Sequence, residues 1–117
     1  MLEKVIEIAL RAGKIIMEAR KKGFQTTTKS GAFDFVTSAD LDSEKYILDK
    51  MLAEFPNDSF LSEEKGKIGK NSSRIWMIDP LDGTKDFKNG GSGFSVMIGL
   101  CEKGVPILGV VYAPAKN

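Results

Sequence analysis

The pattern of apolar and polar positions predicts an amphipathic helix at the start of the chain, from residue 2 to about residue 22. Its apolar positions recur at the i, i+3, i+4, i+7 spacing of a single helix face. They are Leu2, Val5, Ile6, Ala9, Ala12, Gly13 and Ile16. Charged side chains fill the opposite face, and Gly23 is a typical residue for the helix end. Such a charged face is typical of a solvated surface and indicates no function.

A second helix is predicted to begin at Thr37-Ser38-Ala39-Asp40, where hydroxyl groups can cap the first turn and an acid matches the helix dipole. It is expected to end at residues 56–58 and to point inward with Leu41, Ile47, Leu48, Met51, Leu52 and Phe55. Before it, Phe24 to Thr28 and Phe33 to Thr37 have strand propensity and predict a hairpin. Asp40 alone is most simply a capping acid, with a catalytic role as the alternative.

The central part of the chain places acids at the ends of two predicted strands. Ser59 to Ser62 predict a short strand that ends at Glu63-Glu64, and residues 65–73 are polar and predict a mobile loop. Ile75 to Ile78 predict a buried strand, because the run is short, continuous and rich in β-branched and aromatic residues. Pro80 has no N–H to donate, so we expect it to end the hydrogen-bond ladder.

The last part of the chain predicts a second hairpin, from Phe94 to Cys101 and from Val105 to Tyr112. The element order indicates an α+β fold in which two helices pack on a largely antiparallel sheet of five or six strands. The last strands are apolar on both faces, so we expect a second domain or a partner to cover them.

Composition excludes several classes of function. The chain of 117 residues has 17 basic and 16 acidic side chains, and a net charge of +1 gives no case for binding a nucleic-acid polymer or an anionic membrane. No apolar run approaches the ~20 residues of a transmembrane segment. The absence of histidine excludes Ser–His and Cys–His hydrolases and His-ligated zinc. Cys101 is the single cysteine, which rules out an internal disulfide and favours a cytoplasmic protein.

Glu63, Asp79 and Asp82 are the candidate metal ligands. Asp79 and Asp82 flank a tight turn, and the strand that ends at Glu63 could lie beside the strand that ends at Asp79. Three carboxylates in one pocket repel, and a hard divalent cation relieves that repulsion, with oxygen-only ligation favouring Mg²⁺. Gly83 and Thr84 could then offer backbone amides to a phosphate. From spacing alone, a metal site and a capped turn with solvated acids remain equal alternatives.

Two other motif interpretations fail on single positions. The haloacid-dehalogenase phosphatases carry D-x-D-G-T with a nucleophilic aspartate two residues before the second one, and Pro80 occupies that position here. An EF-hand loop needs acids in a fixed alternating frame, whereas Asp79 and Asp82 are three residues apart and glycine stands at position 90.

Three motifs in this order resemble one known family. They are Asp34-Phe35-Val36-Thr37-Ser38-Ala39-Asp40, Leu61-Ser62-Glu63-Glu64, and the run from Trp76 to Thr84 that contains Asp79-Pro80-Leu81-Asp82-Gly83. The family is that of the lithium-sensitive, magnesium-dependent phosphomonoesterases typified by inositol monophosphatase. The resemblance implies that residues 1–117 are the N-terminal α+β domain of its αβαβα fold. The family's C-terminal α/β domain, with its Trp-Asp-x-Ala-Ala-Gly motif, is expected to be absent from this chain.

The resemblance also implies a ligand set for the metal. Glu63, Asp79 and the carbonyl of Leu81 would hold one Mg²⁺, and Asp79 would bridge to a second ion bound by Asp82. The complete enzyme would bind two or three Mg²⁺ ions, and Mn²⁺ or Ca²⁺ could replace them in binding. The partner would be a small phosphate ester, and the full-length form is expected to be a homodimer.

Catalytic and phosphate-binding roles follow from the same resemblance. Asp40 and Thr84 would orient and deprotonate the attacking water, with Glu63 acting through the metal. Asp82, the backbone amides of Gly83 and Thr84, and Lys29 would contact the phosphate. No phospho-enzyme is expected, and this chain alone is expected to be inactive.

Some details resemble CysQ-type 3'(2'),5'-bisphosphate nucleotidases more than inositol monophosphatases. They are Ser62 before the glutamate pair, Lys85-Asp86-Phe87 after the central motif, and the hairpin from Gly104 to Pro114. The resemblance therefore favours adenosine 3',5'-bisphosphate as the substrate. Inositol 1-phosphate is the alternative within the family, and a non-catalytic domain that binds a metal or a partner is the alternative outside it.

Overall fold

Two long helices lie on one face of a five-stranded sheet in the computed structural model, which describes residues 1–28 and 35–116. Helix α1 spans Leu2–Lys22 and helix α2 spans Ser38–Glu54. Both agree with the predicted spans. The N-cap of α2 is Thr37, whose hydroxyl accepts from the backbone N–H of Asp40 as the sequence predicts.

The hairpin predicted before α2 is present as a short antiparallel pair, separate from the main sheet. Strand β1 spans Thr26–Thr28, strand β2 spans Phe35–Thr37, and Thr26 lies opposite Thr37. Both strands are shorter than predicted. Lys29, Asp34 and the turn between the strands fall outside the described residues.

The main sheet has the strand order β4-β3-β5-β6-β7. These strands span Ser59–Ser62 (β3), Gly66–Gly69 (β4), Arg74–Asp82 (β5), Ser95–Glu102 (β6) and Val105–Tyr112 (β7). β3 and β5 run parallel, and the other three neighbouring pairs are antiparallel. The predicted α+β class, with a largely antiparallel sheet, is confirmed.

Two local predictions are wrong. Residues 66–69 were expected in a loop, yet they form β4, because they pair antiparallel with β3 and Ile68 packs against the core opposite Phe60. β5 also continues past Pro80 to Asp82. The ladder accommodates the missing N–H through a register shift between Asp79 and Asp82, which is where a proline can sit inside a strand.

A third helix and a 3₁₀ turn complete the described elements. Helix α3 spans Thr84–Lys88, and the 3₁₀ turn spans Pro114–Lys116. None of the helices described is long and apolar enough to cross a membrane.

The core lies between the sheet and the two long helices, and the buried face of α2 differs from the predicted one. Leu41 is exposed, whereas Ser43 and Glu44 are fully buried. Besides Ala39 in the first turn, the buried positions follow one helical stripe and are Asp40, Ser43, Glu44, Ile47, Leu48 and Met51. On α1, Leu2 and Ile6 are likewise exposed and Ile8 is buried, whereas the other predicted positions are buried as expected, namely Val5, Ala9, Ala12, Gly13 and Ile16. Half of the buried stripe of α2 is thus polar.

The outer face of the sheet carries exposed apolar side chains. Leu61, Met77, Met97 and Val111 alternate with inward residues on four neighbouring strands and are each more than one-third exposed. They line an open groove of about 660 Å³ that reaches Glu63 and Asp79. This agrees with the expectation that the sheet needs a cover.

Candidate active site

Parallel pairing of β3 and β5 brings two of the predicted acids together. The ladder places Ser62 opposite Ile78, so the residues that follow, Glu63 and Asp79, leave the same edge of the sheet side by side. The sequence prediction that the strand ending at Glu63 lies beside the one ending at Asp79 is therefore confirmed.

Asp79 has the most perturbed carboxyl group at this edge. Burial raises its pKa first, a hydrogen bond and the charge of Glu63 raise it further, and the charge of Asp82 adds to this. A hydrogen bond from the backbone N–H of Leu81 lowers it, and the net effect is a pKa of about 7. The charges of Glu63 and Asp82, the two other acids singled out from the sequence, thus both act on Asp79 in the fold.

Leu81 and Asp82 lie in the irregular last part of β5, and Gly83 links them to α3. The prediction of a tight turn between Asp79 and Asp82 is therefore wrong. Gly83 has a φ of 84°, which favours glycine. A Cβ at Gly83 would stand 2.5 Å from the carbonyl oxygen of Gly93 and 3.2 Å from the Cα of Phe94, so no larger residue fits. The chain at Gly83 brings Thr84 back toward Leu81, whose carbonyl oxygen lies 3.2 Å from the Thr84 hydroxyl.

Asp40 is both a helix cap and a neighbour of Thr84. Its Oδ2 accepts from the backbone N–H of Thr37 at 2.8 Å and from the Thr37 hydroxyl, and its Oδ1 accepts from the Thr84 hydroxyl at 3.0 Å. Burial raises the pKa of Asp40, and these hydrogen bonds from Thr37 and Thr84 partly offset the rise. Asp40 thus caps α2 and also lies close enough to Thr84 for the role that the resemblance implies, because each carboxylate oxygen has a different partner.

The donor set fits a hard divalent cation. No group of three acidic, cysteine or histidine side chains stands ready to hold one ion in the parts of the chain that are described. The ligand set implied by the resemblance needs only two carboxylates, Glu63 and Asp79, together with the carbonyl of Leu81. The Oδ1 of Asp79 is buried with no hydrogen-bond partner among these residues. An oxygen-only set with an unsatisfied carboxylate oxygen is what Mg²⁺ prefers.

Sequence reasoning missed two polar residues that support the site, Ser43 and Glu44. The Ser43 hydroxyl donates to the carbonyl oxygen of Pro80 at 2.8 Å. The Oε2 of Glu44 accepts from the Ser62 hydroxyl and from the backbone N–H groups of Glu64 and Lys65, at 3.0 and 3.1 Å. The available signal was their spacing, since positions 43 and 44 extend the stripe of Ile47, Leu48 and Met51 by one turn.

A model of the inositol monophosphatase family matches residues 1–117. The chain belongs to this family. This inositol monophosphatase family member is 41% identical over 120 residues to the Nus factor SuhB of Pasteurella multocida, a match that covers 100% of the chain and 45% of the relative. It is 39% identical over 118 residues to the 3'(2'),5'-bisphosphate nucleotidase CysQ of Haemophilus influenzae, over 97% of the chain and 44% of the relative.

Solved structures of the family have the same fold. An IMPase of Thermotoga maritima superposes with a TM-score of 0.86 at 34% identity, over 96% of this chain and 43% of that one. The chain spans less than half the length of the curated relatives that it matches. The identities to SuhB and CysQ are nearly equal, so they support the family and leave the nucleotidase activity as a proposal.

Proposed function

We propose that the protein is a Mg²⁺-dependent phosphomonoesterase that hydrolyses a small phosphate ester with water as the nucleophile. The observation that carries the proposal is the edge of the sheet where Glu63 and Asp79 meet. There the pKa of Asp79 is raised to about 7 by burial and by two neighbouring acids, and one of its oxygens is buried without a partner. A carboxyl group whose pKa is raised in this way is typical of a functional site.

Glu63, Asp79 and the carbonyl of Leu81 would hold the first ion, and Asp82 would join Asp79 at a second. When bound, Mg²⁺ supplies a more acidic water and neutralises charge on the phosphate and the leaving oxygen. Mn²⁺ or Ca²⁺ is expected to occupy the same ligands. The half-buried position of Asp79 excludes much of the bulk water from around these charges, which strengthens their interactions.

Asp40 and Thr84 would manage the proton. The Thr84 hydroxyl already donates to Asp40 Oδ1 at 3.0 Å, so its own oxygen is oriented to accept a proton from a water at the site. The backbone N–H of Thr37 and its hydroxyl hold the other oxygen of Asp40, which fixes the direction of the carboxylate. The phosphate would lie against Asp82 and the backbone amides of Gly83 and Thr84. Lys29, which we also propose near the phosphate, lies outside the described residues.

Adenosine 3',5'-bisphosphate is the substrate that we propose. It is supported by the motif details around Ser62 and Lys85-Asp86-Phe87, and by a relative named a 3'(2'),5'-bisphosphate nucleotidase at 39% identity. Inositol 1-phosphate is the alternative within the family.

The test is phosphate release by the complete protein with each of the two substrates, in Mg²⁺ and in EDTA. We expect Mg²⁺-dependent release that Asp79→Asn abolishes and that Asp49→Asn, the same change at an exposed position of α2, leaves intact. The variants Thr84→Ala and Thr84→Ser form a second matched pair, since only serine keeps the hydroxyl. Full activity of Asp79→Asn would refute the proposal, and a preference for inositol 1-phosphate would refute the proposed substrate.

We further propose that a second domain of the same protein covers the outer face of the sheet and supplies the last metal ligand. The exposed side chains of Leu61, Met77, Met97 and Val111 support this, as does the length of the relatives. Residues 1–117 alone should then release no phosphate, whereas a longer product of the same gene should. The expected homodimer stays a prediction, to be checked by light scattering.

A further inference from the structure

Glu44 is a fully buried carboxylate in the middle of α2. Removing a carboxylate from water is costly unless hydrogen bonds or a counter-charge compensate it. Among the described residues, the hydrogen bonds to Glu44 fall on one oxygen: Oε2 accepts from the Ser62 hydroxyl and from the N–H groups of Glu64 and Lys65, at 3.0 and 3.1 Å for the two amides. Oε1 is buried with no partner among the residues described. This arrangement indicates that Glu44 has a role besides packing in the core.

The three donors lie on both sides of Glu63. Ser62 precedes it, and Glu64 and Lys65 follow it, so the backbone that carries Glu63 is held before and after the residue. The ladder between β3 and β5 ends at the pair Ser62 and Ile78, and thus does not itself fix Glu63. Beyond that pair, Glu44 binds the turn at residues 63–65, which joins β3 to β4.

The same helix face also holds the other segment of the site, residues 80–84. Ser43 donates to the carbonyl oxygen of Pro80 at 2.8 Å, between Asp79 and Leu81, and Asp40 accepts from Thr84 at 3.0 Å. Positions 40, 43 and 44 have the i, i+3, i+4 spacing that places side chains together on a helix. One helix therefore binds two chain segments that are distant in sequence, residues 62–65 and residues 80–84.

We propose that Glu44 is a positioning residue for the metal ligand Glu63, which it holds toward Asp79 before any ion binds. The inference rests on the proposed function only for the nature of the ion. Groups that orient metal ligands without touching the metal commonly change metal affinity by about 10- to 100-fold when they are removed. Preorganisation of this kind is most precise when it comes from a regular element such as α2.

The experiment compares four variants of the protein. Glu44→Gln keeps the length and one acceptor oxygen, Glu44→Asp keeps the charge but is one methylene too short, and Glu44→Ala removes both. Leu48→Ala is the matched control, because Leu48 is buried one turn along the same helix and has no polar side-chain group. The readouts are the Mn²⁺ dissociation constant from electron paramagnetic resonance, the melting temperature, and amide hydrogen exchange of residues 63–65 in EDTA.

We expect Glu44→Ala and Glu44→Asp to weaken Mn²⁺ binding about tenfold and to accelerate exchange at Glu64 and Lys65, while Glu44→Gln changes both by less than about threefold. Leu48→Ala should lower the melting temperature but leave the Mn²⁺ affinity within about twofold. Equal Mn²⁺ binding by folded Glu44→Asp and wild type would overturn the inference. So would an equal loss of affinity in Leu48→Ala, which would indicate a general effect of stability.

Failure of the proposed function gives a different result. If the wild-type protein does not bind Mn²⁺, the metal site itself is refuted, and exchange in EDTA decides whether Glu44 orders the turn. Unchanged exchange at Glu64 and Lys65 in Glu44→Asp would then overturn the positioning role as well. If Glu44→Ala does not fold, the comparison of Glu44→Asp with Glu44→Gln tests the positioning role of Glu44 instead.

Discussion

Two carboxylates, one beside each end of strand β5, lie in opposite surroundings. At the start of the strand, Asp58 accepts from the Arg74 guanidinium at 3.2 and 3.3 Å and from the Trp76 indole N–H at 2.8 Å. At the other end, Asp79 lies beside Glu63, its pKa is raised to about 7, and its Oδ1 has no hydrogen-bond partner among the described residues. Asp58, which precedes β3 and binds the start of β5, is thus a satisfied acid, and Asp79 within β5 is a strained one.

The contrast distinguishes an acid that stabilises the fold, Asp58, from an acid that we propose binds a metal ion, Asp79. The protein's own cation and an indole donor satisfy Asp58, so that end needs nothing from solution. The groups that act on Asp79 raise the free energy of its ionised form, and a bound divalent cation would lower it. The folded chain therefore stores an unfavourable interaction at the end where we propose catalysis, and its stable end offsets the cost.

The largest expected effect comes from breaking the satisfied end. Asp58→Ala should lower the free energy of unfolding by about 3 kcal/mol, because it leaves the Arg74 guanidinium and the Trp76 N–H without their buried partner. Urea denaturation followed by tryptophan fluorescence measures this, since Trp76 is the single tryptophan and is fully buried.

Glu102→Ala is the control for that prediction, because Glu102 binds the same arginine at 3.2 Å from a more exposed position. It should cost less than about 1 kcal/mol, as exposed ion pairs do. An equal loss in the two variants would show that the burial of Asp58 does not matter.

The next effect concerns the strained end. Mn²⁺ or Mg²⁺ at ten times its dissociation constant should stabilise the protein by about 1.4 kcal/mol at pH 8, by mass action on the folded state. Asp79→Asn should remove this stabilisation, and Glu102→Ala should keep it. Thermal unfolding with and without metal gives the result. No metal-dependent shift in the wild-type protein would favour solvated acids at a capped turn.

The same Asp79→Asn variant should be more stable than wild type in EDTA at pH 8, by about 1 kcal/mol. This expected gain is smaller than the free energy that corresponds to the full pKa shift of Asp79, because solvent screens a carboxylate that is only half-buried. Most substitutions at buried polar positions destabilise, so a gain here would be diagnostic of repulsion among Glu63, Asp79 and Asp82. A loss of stability would mean that Asp79 contributes favourable interactions without a metal.

The sequence predicted the satisfied elements of this fold better than the strained ones. The helices, the last hairpin and the adjacency of Glu63 and Asp79 follow from apolar periodicity and from acids at strand ends. β4 could not be predicted, because a four-residue strand with two glycines has little strand propensity and takes its structure from its pairing with β3. The register shift around Pro80 was missed for a related reason, since only the neighbouring strand reveals which N–H groups the ladder needs.

Polar residues on the buried face of a helix were the other feature that the sequence did not predict. Ser43 and Glu44 look solvent-facing by composition, and only their spacing places them on the stripe of Ile47 and Leu48. Their partners, the carbonyl of Pro80 and the turn after Ser62, lie far away in the chain and are backbone groups in part. A pattern of side-chain types contains no information on such partners, and the proximity of Asp40 and Thr84 was expected only from the family resemblance.

The smallest effect is a pH dependence, whose sign distinguishes the two ends. The pKa of Asp79 is raised in the folded state from 3.8 to about 7, so between these values the folded chain keeps a proton that the unfolded chain has lost. Stability in EDTA should therefore fall as the pH rises through this window and level off above it. The advantage of Asp79→Asn over wild type, measured by urea unfolding at several pH values, should shrink toward zero as the pH is lowered from 8 to 4. Saturating Mn²⁺ should reverse the wild-type slope, because the cation binds the ionised carboxylates and competes with protons. An advantage of Asp79→Asn that does not change with pH would mean that its origin is packing, and the contrast between the two ends of β5 would then not be electrostatic.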